Sequence, residues 1–85
     1  MNIEQVWNEI KSHQGERFSL IRGKEFTYKI IGDFVFPSTL KTHGPSKSEL
    51  EKALAHLPLD STVSIQHLWG PSYIFALLTD KRIVQ

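Results

Sequence analysis

Four histidines, His13, His43, His56 and His67, are the side chains best suited by type to metal binding or acid–base work. They fall 30, 13 and 11 residues apart, whereas a helix presents two metal ligands at i, i+3 or i, i+4. No carboxylate completes a recognisable set around them, so they read as surface or loop residues. Nucleophilic chemistry finds no frame either. The chain has many serines but no G-x-S-x-G elbow, and Gly70-Pro71-Ser72 places a rigid proline where that turn must be sharp and flexible. A G-x-x-x-x-G-K phosphate loop is absent, and there is no cysteine for a thiolate nucleophile or a thiolate metal site. These absences lead to an expectation of no catalytic residues, no metal and no cofactor.

Charge placement is more telling. The net charge is only +1, but residues 1–16 carry −2, residues 17–48 carry +4 and residues 49–80 carry −3. The basic block supplies Arg17, Arg22, Lys24, Lys29 and Lys41, the candidate contact set for a phosphate backbone, because each such contact releases condensed counterions. Nucleic acid is thus the leading expected partner. The other expectation is a protein-interaction or self-associating module, a homodimer included, using Ile21, Ile31 and Val35 as an apolar patch. A helix-turn-helix over residues 62–80 is disfavoured, since Tyr73-Ile-Phe-Ala-Leu-Leu is too apolar to lie against base edges.

The elements that must position these side chains follow from periodicity. Ile3, Val6, Trp7 and Ile10 fall on one helical face over residues 3–13, with Asn2 and Gln5 as a capping box and Gly15 as the stop. Residues 17–40 switch to period two. Phe18 and Leu20, then Phe26, Tyr28 and Ile30, then Phe34 and Phe36 alternate with polar residues, which predicts a three-stranded antiparallel meander turning at Arg22-Gly23-Lys24 and Gly32-Asp33. Two-residue loops at both turns would put Phe18 and Leu20 opposite to Phe26 and Tyr28. A three-residue loop or a glycine bulge restores one shared aromatic face and leaves Ile21, Ile31 and Val35 outside, and that is the register expected. The aromatics, Trp69 and Tyr73 included, are then assigned to the core rather than to base stacking, although Trp69 and Tyr73 flank Gly70-Pro71 where an exposed ring would be a contact.

Residues 37–46 form a loop. Ser46 and Glu49 open a second helix with Leu50, Ala53, Leu54 and Leu57 on one face, ended by Pro58. Residues 59–69 read equally as a short strand or a short helix. Pro71 starts a last helix running to about Thr79, and Ile83-Val84 is expected as a short edge strand. The order α-βββ-α-α is an α+β two-layer domain.

Eighty-five residues make one domain over residues 1–85, and 40% hydrophobic with 22% charged residues lies in the globular range. The first residues, I-E-Q-V-W-N-E-I, interleave charges and are no signal peptide, and the longest apolar run falls far short of a membrane span. A cytoplasmic location without a membrane partner is the expectation. The segments F-T-Y-K-I-I-G-D-F-V-F-P-S, S-K-S-E-L-E-K-A-L, L-P-L and G-P-S-Y-I-F-A-L-L-T-D-K-R-I together resemble a small bacterial domain that occurs alone or joined to helicase- or restriction-type proteins. The resemblance spans residues 7–83. It implies an accessory role near DNA processing and carries over no catalytic residue.

Overall fold

The first helix begins where its capping chemistry places it. In the computed structural model, which describes residues 2–84, the Asn2 side chain accepts from the Gln5 amide while the Gln5 side chain accepts from the Asn2 amide, both at 3.0 Å. α1 runs from Ile3 to Ser12 and buries Val6, Trp7 and Ile10. The chain then turns through Gly15 and pairs twice in succession as antiparallel hairpins. β1 (Phe18–Ser19) pairs with β2 (Glu25–Phe26), and β3 (Tyr28–Ile31) pairs with β4 (Phe34–Pro37).

The meander therefore exists as connectivity but splits into two ladders at Thr27. There the amide is taken by the Ser38 side chain instead of a strand carbonyl. The two turns differ, and the difference decides which side chains face out. In the first, Leu20 and Lys24 close a three-residue loop over Ile21-Arg22-Gly23, with Gly23 at φ +88° supplying the left-handed backbone. Phe18 is thus paired with Phe26 on the inner face, as the expected register requires. The second loop has only two residues, Gly32-Asp33, and pairs Ile31 with Phe34 and Lys29 with Phe36. A one-residue change of loop length inverts the parity of everything beyond it.

Two expectations are corrected by that parity. Val35, expected on the outer face, is 0% exposed and packs in the core opposite Ile30. Phe34 and Phe36, expected inside, lie on the outer face with Lys29 and Ile31. A further segment covers the free side of β4. Val35 donates to the Pro45 carbonyl, Gly44 donates to the Val35 carbonyl at 2.7 Å, and Lys47 donates to the Asp33 carbonyl. Gly44 is required here, because a Cβ at this position would meet Pro37 Cδ at 2.8 Å and the Val35 carbonyl at 3.0 Å.

α2 (Lys47–Leu54) and α3 (Pro71–Leu78) close the second layer. Ser46 caps α2 by accepting from the Glu49 amide at 3.1 Å. The reciprocal half of that box does not form. Between the helices, residues 63–65 make one turn of 3-10 helix, which settles the segment that read both ways. Leu50, Ala53, Ile65, Ile74 and Leu77 from this layer meet Val6, Trp7, Phe18, Phe26 and Tyr28 in one core. The expected Ile83-Val84 edge strand is a turn instead: both amides donate to the Asp80 carbonyl, and Ile83 is fully buried. Its side chain completes the core, and burial outweighs strand pairing at the chain end. The architecture is α+β, helices over antiparallel strands, and among the described residues no helix is long and apolar enough to cross a membrane.

Candidate nucleic-acid interface

Alternation along residues 25–31 determines the outer face. Phe26, Tyr28 and Ile30 point to the core, so Glu25, Thr27, Lys29 and Ile31 point away. Arg17 is exposed just before the inward-facing Phe18, which pairs with Phe26, and Phe36 lies directly across from Lys29. Arg17 and Lys29 thus both point away from the core, on adjoining ladders that meet at Thr27. A shallow cleft of about 300 Å³ opens there, lined by Thr27, Tyr28, Lys29, Phe36 and Ser38. Glu25 sits at the end of the same face and is its one carboxylate on the strands.

The rest of the expected contact set is distributed. Arg22 and Lys24 occupy the tip of the first hairpin, where they border a second cleft of about 360 Å³ with Leu20, Ile21, Thr62 and Ser72. Lys41 lies exposed in the loop after β4. The five are alike in one respect. All are exposed, and none forms an ion pair among the described residues.

Of the five other cations, Lys11 and Lys81 are likewise exposed and form no ion pair among the described residues, while Lys47, Lys52 and Arg82 are committed to the fold. Lys47 pairs with Glu4 at 2.9 Å, a contact that raises the lysine's affinity for its proton. Lys52 pairs with Glu49. Arg82 lies 3.7 Å over the Phe18 ring, binds the Asp80 carboxylate through Nε and Nη2, reaches Glu16 and donates to the Arg17 carbonyl. These contacts hold the Asp80 carboxyl below its ordinary range. Glu16 is lowered too, first by its hydrogen bond to His13 and then by Arg82. The tail arginine is a clamp between the chain end and β1, and its charge is spent internally.

Aromatic side chains missed by the sequence reading share the outer surface. Trp69 is 55% exposed and Phe34 38% exposed. His43 folds over the outer side of β4, its ring centroid 4.5 Å from Phe34, 6.4 Å from Phe36 and 6.0 Å from Trp69. The cluster is pinned by hydrogen bonds. His43 Nδ1 donates to the Gly44 carbonyl at 2.8 Å, the Trp69 indole N–H donates to the His43 carbonyl, and the Trp69 amide donates to Glu49 Oε2. Glu49 is drawn away from its capping role by that last bond, which explains the half-formed box at α2. The position of Trp69 beside Gly70-Pro71 was the sequence signal for an exposed ring. For Phe34 and Phe36 the signal was the unbulged length of the second turn.

His56 and His67 stack edge to face, 5.7 Å apart, a proximity that their sequence separation hid. No group of three or more His, Asp or Glu side chains positioned to hold a metal occurs among the described residues. Of the apolar set Ile21, Ile31 and Val35, the first two are exposed and lie at opposite ends of the strands, while Val35 is interior. The patch expected for self-association is therefore not assembled from those three. Comparison of the chain with family models, with curated proteins and with solved structures returned no match.

Proposed function

We propose that the protein is a small non-enzymatic module that binds nucleic acid through the outer face of its strands, acting as an accessory to DNA or RNA transactions. The observation that carries this reading is the division of labour among the cations. Those of α2 and the tail arginine are paired with carboxylates, whereas Arg17, Arg22, Lys24, Lys29 and Lys41 are exposed and unpaired. Two of them, Arg17 and Lys29, point out from the strands beside a shallow cleft, an arrangement that suits a flexible polyanion, since neutralising phosphates supplies most of non-specific affinity.

Binding to labelled oligonucleotides at low salt should weaken steeply as salt is raised. Charge reversal of Arg17 and Lys29 together should lower affinity for all sequences alike, because phosphate contacts carry no base information. It should also reduce the slope of log K against log salt by roughly 1.4–1.8, about 0.7–0.9 per lost contact. Lys11→Glu on α1, another exposed and unpaired cation, is the control and should change little. Equal losses from Lys11→Glu and from the strand pair would refute the assignment of the face.

A further inference from the structure

We infer that the ligand is single-stranded and that its unpaired bases stack on the Phe34–His43–Trp69 cluster, an inference that rests on the nucleic-acid reading above. The geometry of the rings carries it. Three aromatic side chains from different segments, β4, the loop after it and the residue preceding Gly70-Pro71, meet on the surface, with the His43 ring 4.5 Å from Phe34 and 6.0 Å from Trp69. Phe36 joins this cluster to Lys29 directly across the hairpin. The surface is thus continuous from a cation to a group of exposed rings, the pairing of backbone neutralisation with base stacking that single strands require.

The rings are also fixed before any ligand arrives. Trp69 is held at both its backbone amide and its indole N–H, and His43 at its Nδ1, so neither needs to be ordered on binding. A duplex offers no unstacked base to such a surface. A second copy of this chain is a poorer occupant, because an isologous contact through this face would bring two Lys29-bearing rims towards each other.

Tryptophan fluorescence reads the inference directly. Trp7 is 4% exposed in the core, so a change in emission on adding ligand reports Trp69. A ~10-nucleotide oligothymidylate or oligouridylate, within the range of known single-strand site sizes, should quench wild-type emission saturably. The two probes separate a DNA from an RNA preference, and stacking with either supports the inference. Trp69→Ala should weaken binding roughly 5- to 150-fold, the loss expected for one stacked base. Phe34→Ala is the second variant should the first lose its fold, and the wild-type emission stands independently of both. A duplex of the same length should compete poorly.

Equal affinity for duplex and single strand, without quenching and without loss in Trp69→Ala, would overturn stacking while leaving phosphate binding at the sheet face intact. No binding of any oligonucleotide at low salt would overturn both readings. A wild-type dimer in sedimentation that Trp69→Ala dissociates, with no oligonucleotide bound, would reassign the cluster to self-association.

Discussion

Replacing Tyr28 with phenylalanine removes one oxygen from the middle of the protein, and its effect should depend on pH in a way that identifies the cause. The Tyr28 hydroxyl donates to the Ile10 carbonyl at 2.6 Å, joining the inner face of β3 to the last turn of α1. The neighbouring helix-end carbonyls of Glu9 and Lys11 receive backbone amides. Ile10 relies on the phenol. Phenylalanine keeps the ring contact with Phe18, 5.4 Å between centroids, but leaves a buried carbonyl unsatisfied, at a cost of about 1–3 kcal/mol. In a domain of this size that lowers the melting temperature by at least ~4 °C.

Burial, with the Glu16 carboxylate adding to it, also pushes the Tyr28 ionisation well above the ordinary tyrosine range. The unfolded chain loses this proton near pH ~10, while the native state keeps it. Above that pH the unfolded state binds fewer protons, so wild-type stability falls by about 1.4 kcal/mol per pH unit from this group. Tyr28→Phe has no such proton to lose. Denaturant unfolding of both proteins at pH 8 and pH 11 should therefore show a gap at pH 8 that shrinks by about 1.4 kcal/mol at pH 11. Other titrating groups cancel in the difference. A gap at pH 8 below ~0.5 kcal/mol, or one that stays constant to pH 11, would refute the role given to this hydroxyl.

Two further outcomes follow from the caps and clamps. Ser46→Ala should lose about 1 kcal/mol in denaturant unfolding by freeing the Glu49 amide, while Ser48→Ala, which caps nothing, should stay within ~0.5 kcal/mol of wild type. Because Asp80 and Glu16 are held below their ordinary range, they stabilise the fold above the unfolded carboxylate range and lose that contribution as pH falls below it, through their own lowered values. Arg82→Met should lower the melting temperature at pH 7 and flatten its decline between pH ~5 and ~2; a decline as steep as wild type's would show that Arg82 does not set these carboxyls.

What the sequence made legible was local. The Asn2–Gln5 box, the Pro71 start of α3 and the apolar faces of α1 and α3 are each dictated by residues within a few positions of one another, and each formed as expected. Even the three-residue first turn was legible, because Phe18 and Phe26 had to share a face. The second turn had no such constraint readable in advance: its two-residue length turns Val35 into the core, where it joins residues of the helices. The exposed cluster was hidden for the same kind of reason. Trp69 is held by Glu49, 20 residues away, and by His43, 26 residues away, and no periodicity records either contact. Of the five expected contact residues, alternation alone turned Arg17 and Lys29 away from the core. It could not show which of the chain's other cations would be consumed by partners.

The segment lying along β4 has a bearing on how the protein behaves at high concentration. A strand margin normally offers a row of free amides and carbonyls on which another chain can build. Here the added segment presents Pro45, which has no N–H to give, and the Gly44 carbonyl, which the His43 ring already occupies. A strand approaching from that side meets no complementary ladder, so the sheet cannot be extended there by a neighbouring molecule. The same loop that holds His43 against Phe34 thus terminates the sheet, and a loop substitution that freed Gly44 and Pro45 from β4 would uncover a sticky margin beside an aromatic surface.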